Sequence, residues 1–192
     1  MIIGLTGTYC AGKNHVASLL EAQGFSVLDV DKLGYIALES EKTKIFSQFG
    51  ADLEKTDGSV DRRLLGKRVF GNPEKLAALE AIVHPAANRL TDEWIAVCKN
   101  HCVINAALLH RSSVFNRLDR IIIVKAPFFT RFFRALRRDK LSLSEVFRRF
   151  GSQKNFGTQY LSIKAEIYRI ENSGLNDKQL KRRINEFIEG MN

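Results

Sequence analysis

Gly7-Thr8-Tyr9-Cys10-Ala11-Gly12-Lys13 lies near the amino terminus and decides how the rest of the chain is read. Its spacing is G-x-x-x-x-G-K, the phosphate loop up to its last position, where Asn14 stands in place of Ser or Thr. The run before it, Met1 to Thr6, has the composition of a short buried strand. The run after it, His15 to Glu21, puts Val16, Leu19 and Leu20 on one helical face. Glycines allow the backbone to curl so that successive N–H groups converge on one anion. The helix N-terminus adds partial positive charge there, and Lys13 adds a full one. A glycine turn before a helix would account for the glycines alone. Strand, loop and helix together predict nucleotide phosphate binding by Gly7, Cys10, Ala11, Gly12, Lys13, Asn14 and His15.

Working outward, Gly24 is a helix stop, and Phe25 to Asp31 reads as a second strand ending in acids. On an extended backbone Asp29 and Asp31 face the same side, toward the crevice where open parallel sheets bind ligands. Residues 32 to 100 show no clear strand. They read as a helical insertion in which Thr56 to Ser59 turns, Asp61 to Phe70 and a run from Pro73 form helices, and His84-Pro85 interrupts the second of these. Strand composition returns at Cys102 to Ala106, Arg120 to Val124 and Ile167 to Ile170. A loop and short helix span Leu108 to Leu118. Asn176 is placed to cap a last helix with Leu180, Ile184, Phe187 and Ile188 on one face. Alternating strands and helices argue an α/β fold, a parallel sheet with helices on both faces.

The chain has 192 residues, 45% of them hydrophobic, which suits one domain spanning residues 1–192. No apolar run is long enough to span a bilayer, and no secretory signal opens the chain, so the cytoplasm is the expected compartment. Cys98 and Cys102 have the spacing of a metal pair but no second pair to complete a site, so all three cysteines read as buried or idle thiols. The net charge of +9 is concentrated between Arg111 and Lys154, where twelve basic residues face Asp119, Asp139 and Glu145. A helix over Thr130 to Asp139 sets Arg131, Arg134 and Arg138 on one stripe, and Ser142 with Glu145 resembles a capping box for the next. The segment from about 128 to 156 thus has the make-up of a lid that closes arginines over phosphates and excludes water; a solvated basic face is the plainer alternative.

Further motifs follow in order: Phe49-Gly50-Ala51-Asp52, Asp57-Gly58-Ser59-Val60-Asp61-Arg62, Val69 to Glu74, Ile82-Val83-His84-Pro85, Arg138-Asp139, Gln153, and Ile170-Glu171-Asn172-Ser173-Gly174. With the loop and Val27 to Asp31, their order and spacing resemble dephospho-CoA kinase along nearly the whole chain. The resemblance implies a P-loop NTPase-like kinase with ATP and Mg²⁺, transferring a phosphoryl group to the ribose 3′-hydroxyl of dephospho-CoA. It implies Asp31 as the base for that hydroxyl, a position a helix N-cap would also explain. Lys13 would meet the β- and γ-phosphates, and Arg138, beside Arg134, the transferring group. Asn14 falls where a metal ligand is expected; Asp29 either meets metal through water or orients its neighbours. Arg62 and His84 are candidate substrate contacts, His84 also a structural residue before Pro85. The chain departs from the family pattern at Asn14-His15 and at Ala107 to Arg111, where a proline and an acid are absent.

Other readings of the same residues are a different nucleoside or nucleotide kinase, or a non-catalytic nucleotide-binding protein. A guanine-specific Asn-Lys-x-Asp motif is absent, and the aromatics fall on apolar helix faces and not on a stacking platform. Small molecules are therefore the expected partners, without nucleic acid or membrane.

Overall fold

Five runs rich in β-branched residues become five strands of one sheet in a computed structural model, which describes residues 1–139, 142–151, 153, 156–160, 163–173 and 177–191. The chain divides into two units, Met1–Leu28 with Cys98–Asn192, and Asp29–Val97.

The first unit carries the sheet. β1 (Ile2–Gly7), β2 (Ser26–Asp29), β3 (Cys102–Asn105), β4 (Arg120–Lys125) and β5 (Glu166–Glu171) lie in the order β2-β3-β1-β4-β5. β1 pairs in parallel with β3 and β4, Leu5 opposite Asn105 and Gly7 opposite Val124, and β4 pairs in parallel with β5. Ile121, Ile122, Ile123 and Val124 are all buried, the continuous apolar run expected of a parallel strand covered on both faces. On one face α1 (Lys13–Ala22) and α8 (Asp177–Glu189) pack Val16, Leu20, Leu180, Ile184 and Phe187 against Ile3, Leu5, Val103 and Ile122. Burying each such side chain is worth about 1.5–3 kcal/mol before entropy is counted. Past α1 and its C-cap Gln23, Gly24 takes φ +86°; the Phe25 N–H reaches the Leu20 carbonyl and the Gly24 N–H that of Glu21, so the turn closes the helix and returns Phe25 to the core. α6 (Phe128–Asp139) and α7 (Leu143–Gly151) form the basic pair. Ser142 and Glu145 make the capping box: the Ser142 N–H and Oγ–H donate to Glu145 Oε2 at 3.0 and 2.6 Å, and the Glu145 N–H returns to Ser142 Oγ at 3.4 Å. Between β3 and β4 there are two 3₁₀ turns, Leu109–Arg111 and Phe115–Arg117, in place of the loop and short helix expected there. Lys140, Leu141, Lys154, Gly174 and the expected cap Asn176 lie outside the described residues.

The second unit is built from α2 (Val30–Ser40), α3 (Lys42–Phe49), α4 (Arg62–Val69) and α5 (Pro73–Val97). Ile45, Phe49, Leu53, Val60, Leu65 and Val69 form its core, with Leu76, Leu79, Ile82 and Val83 of α5 packed on them. Asp61 caps α4 by accepting the Arg63 and Leu64 N–H groups at 3.0 and 2.9 Å. Asn72 Oδ1 accepts the Lys75 N–H at 3.0 Å at the start of α5.

Three expectations are corrected. The second strand stops at Asp29 and does not run to Asp31, because the Asp29 carboxylate accepts the Lys32 N–H at 3.2 Å and starts α2 at Val30. Asp29 and Asp31 therefore do not alternate along an extended backbone. His84-Pro85 does not interrupt α5: Pro85 sits inside a continuous helix of 25 residues. The missing N–H leaves one helical bond unmade, and packing on both sides, by Ile82 and Val83 before it and by buried Ala86 after it, with the Thr91 hydroxyl on the Ala87 carbonyl at 2.8 Å, holds the helix together. The Cys98 and Cys102 sulfurs are joined, with Cα atoms 6.4 Å apart, so these two are not thiols; Cys10 is buried and outside the disulfide. No helix among the described residues is long and apolar enough to cross a membrane.

Candidate functional site

The phosphate loop connects β1 to α1. Gly7 is pressed against the neighbouring strand, since a Cβ there would lie 2.6 Å from the Val124 carbonyl oxygen. The Ala11 N–H returns to the Thr8 carbonyl at 2.9 Å, and the His15 and Val16 N–H groups reach the Gly12 carbonyl at 3.0 and 3.2 Å. Cys10 (φ +59°) and Gly12 (φ +90°) adopt left-handed backbone, the curl that turns successive amides inward. For Cys10 this costs about 1–2 kcal/mol. Gly12 is the N-cap of α1 and supplies no side-chain cap, and the first turn of α1 carries no acid. The positive end of the helix and Lys13 therefore lie together at the loop, where they favour an anion.

The strained loop is held from behind. Asn172, just past β5 and 6% exposed, donates Nδ2–H to the Ala11 carbonyl at 2.9 Å and accepts from Arg134 Nη2 at 3.2 Å through Oδ1. A Cβ on Gly12 would collide with Asn172 Nδ2. Arg134 Nη1 donates to the Ala11 carbonyl at 3.2 Å and, at 3.4 Å, to the carbonyls of Cys10 and Asn172. Gln153 Oε1 accepts the Tyr9 N–H at 2.6 Å. The arginine stripe on α6 therefore meets the loop, but its members differ. Arg134 ties the loop backbone. Arg131 lies over the Phe150 ring, 4.7 Å to its centroid, and burial lowers the pKa of its guanidinium. The exposed Arg138 sits 5.4 Å from the Tyr9 ring centroid, as does Arg149, which also donates to Tyr9 Oη at 3.4 Å. Cys10 packs against Ala135 and Val146, so the loop and both basic helices share one small core.

The apolar face of α6 and α7 is wider than that core. Phe132, Leu136 and Phe150 are absorbed, whereas Phe128, Phe129, Phe133 and Phe147 stay exposed, so the apolar helix faces that carry the aromatics are only partly covered. At the other side of the loop, Asn105 closes β3, 2% exposed, with its Nδ2 3.4 Å from Asn14 Oδ1. Asn105 Oδ1 and Thr8 Oγ1 are buried without a hydrogen-bond partner. His15 Nε2 lies 2.8 Å from Asp177 Oδ1, and that hydrogen bond lowers the Asp177 pKa.

In the second unit, Asp29 is the N-cap of α2 and Asp31 is exposed in its first turn. Arg62, first residue of α4, places its guanidinium over the Tyr35 ring, 4.4 Å to the centroid. Both line a cleft of about 710 Å³ whose other walls include Leu38, Lys55, Phe70 and Leu79. Its lining is mostly apolar, with Lys55, Arg62 and Arg63 outnumbering Asp61, a chemistry suited to an anion with an apolar part. His84 is exposed on α5. Sequence reasoning missed Asn105 and gave no role to Asn172 or Gln153. The second of these stands in a quoted motif and is a buried polar residue directly after a strand; the first ends a strand beside the loop.

A family model described as dephospho-CoA kinase (CoaE) matches residues 1–177. A dephospho-CoA kinase from Bacillus licheniformis is 32% identical over 181 residues, covering 91% of this chain and 89% of that protein. One from Geobacter sulfurreducens is 33% identical over 192 residues, covering 96% and 95%. Among solved structures, one from Thermus thermophilus superposes with a TM-score of 0.85 at 32% identity, covering all of this chain and 97% of that one. A dephospho-CoA kinase from Campylobacter jejuni superposes with a TM-score of 0.67 at 26% identity, covering 98% and 96%.

Proposed function

The chain belongs to the dephospho-CoA kinase family, which catalyses the last step of CoA biosynthesis, and from that premise we propose how its own residues divide the work of moving a phosphoryl group from ATP to the ribose 3′-hydroxyl of dephospho-CoA. The observation that carries the reading is the uncapped N-terminus of α1 under a left-handed loop, with Lys13 beside it. The amides from Cys10 to Asn14 cradle the phosphates, with Gly7, Ala11 and Gly12 shaping the curl and His15 following in the first turn. Lys13 meets the β- and γ-phosphates. Arg134 holds the loop, and Arg138 neutralises charge on the group in flight. Thr8, Asn14 and Asn105 offer neutral oxygens beside the loop, two of them buried and unpartnered, a donor set that fits a hydrated Mg²⁺. When bound, the ion supplies positive charge to the phosphate oxygens. Asp29, engaged as the α2 cap, orients that helix.

Asp31 accepts the proton of the attacking 3′-hydroxyl. The unit Asp29–Val97, which overlaps the helical region 32–100, holds the acceptor in the cleft under Arg62, with His84 a contact on α5; residues 128–156 act as the lid, all within one kinase domain. The compartment consistent with this step is the cytoplasm. Asp31→Asn tests the assignment: kcat falls about a hundredfold or more while ATP affinity is kept. A near-normal kcat would reduce Asp31 to a first-turn residue of α2.

A further inference from the structure

An amide pair is an unusual neighbour for a phosphate loop. Asn14 follows Lys13 in the first turn of α1, and Asn105 ends β3, whose partner β1 leads into the loop. The Asn105 side chain is 2% exposed, yet it makes one long contact, 3.4 Å to Asn14 Oδ1, and its own Oδ1 has no partner. An amide can make four hydrogen bonds, and a buried acceptor left empty is destabilising. Such an atom in a folded protein calls for a missing donor or ion. Thr8 Oγ1, in the loop itself, is a second buried oxygen in the same condition.

The chemistry of that donor depends on charge. Among the described residues no group of three or more His, Cys, Asp or Glu side chains is placed to hold a metal. A bare divalent ion therefore has no anionic protein cage here. A hydrated ion already carried by nucleotide phosphates is different: its waters donate hydrogen bonds, and neutral amide oxygens accept them at low cost. Mg²⁺ keeps several waters in nucleotide sites, and partners one shell out tune metal affinity by about 10–100-fold.

We propose that Asn14 and Asn105 form a neutral amide clamp on the water shell of the metal–nucleotide, making Asn105 a metal-positioning residue and leaving the protein with metal affinity only when nucleotide is bound. The proposal rests on nucleotide binding at the loop. Three consequences separate it from a packing role. Without nucleotide, the protein binds Mn²⁺ weakly. With ADP bound, Asn105→Asp adds a charge at the clamp and tightens Mn²⁺ about tenfold or more, while Asn105→Ala weakens it about tenfold. Asn14→Ala, at an exposed position, also weakens Mn²⁺, and the double alanine variant loses less than the sum because the two amides act as one unit.

The experiment titrates Mn²⁺ by electron paramagnetic resonance against wild type and the four variants, with and without ADP. ADP affinity is measured in parallel in EDTA by calorimetry. The expected result is Mn²⁺ affinity, read at saturating ADP, that moves with residues 14 and 105. Equal Mn²⁺ affinity across wild type, Asn105→Ala and Asn14→Ala, with ADP still bound, overturns the clamp and leaves the nucleotide site standing. Tight Mn²⁺ binding by the wild type without nucleotide also overturns it. Absence of ADP binding by the wild type overturns the clamp and the nucleotide reading together. Asn14→Ala decides the matter by itself if the buried substitutions do not fold.

Discussion

Replacing Asn172 by alanine attacks the loop from the side away from any ligand. The variant loses the 2.9 Å hydrogen bond to the Ala11 carbonyl and the 3.2 Å bond from Arg134. The first is a neutral bond, worth about 0.5–1.5 kcal/mol, and the second involves a charged donor, worth about 1.5–3 kcal/mol. The Ala11 carbonyl keeps Arg134 Nη1 at 3.2 Å, and the Asn172 backbone bond to Lys125 at 2.7 Å survives, so the damage stays at the side chain. The total is about 2–4.5 kcal/mol, and at about 2–4 °C per kcal/mol for a chain of this size its midpoint corresponds to a Tm lower by about 6–13 °C. A second effect concerns function. Cys10 is held at φ +59°, a conformation costing about 1–2 kcal/mol. With the Asn172 brace gone and only Arg134 left on the Cys10 and Ala11 carbonyls, the free loop relaxes by that amount, and nucleotide must restore the curl on binding. ADP affinity then falls about five- to thirty-fold. Thermal unfolding by circular dichroism and calorimetric titration of ADP read the two effects separately. A Tm within about 2 °C of wild type together with unchanged ADP affinity would refute the view that Asn172 braces a strained loop.

Other outcomes follow from the same geometry. Arg138→Ala slows phosphoryl transfer and raises the KM for ATP if its guanidinium leaves Tyr9 for the transferring group; unchanged kinetics would confine it to the Tyr9 contact. Asp61 has its pKa lowered, first by the Leu64 N–H and then by that of Arg63. The folded value lies below the unfolded one, so its contribution is present above the ordinary aspartate range and disappears as pH falls through the folded value. Asp61→Asn should therefore flatten the acid limb of the Tm–pH curve, and parallel limbs in the two proteins would contradict the cap.

The sheet was legible because buried parallel strands are spelled out locally: Ile121 to Val124 can be little else. The loop was legible because its glycines answer a backbone need, seen at Gly12 with φ +90°. What the sequence hid was competition between neighbours. By composition Asp29 and Asp31 end β2 equally well, and only the hydrogen bond from Lys32 shows which one starts the helix. Pro85 forecast a break, but packing along α5 outweighs one absent bond. The arginine stripe was read correctly as a face, while the division of tasks along it depends on Asn172, thirty-eight positions from Arg134 in the chain. Asn105 carries no motif of its own, and its unpartnered oxygen exists only once β3 lies beside β1.

The most direct test mixes the protein with Mg-ATP and dephospho-CoA, follows ADP release, and locates the new phosphate by ³¹P NMR and mass spectrometry. The account predicts ADP formed in step with a product phosphorylated at the ribose 3′ position, and no ADP when dephospho-CoA is withheld. A folded protein that binds ATP yet releases no ADP with dephospho-CoA, or that phosphorylates another acceptor in its place, would contradict it.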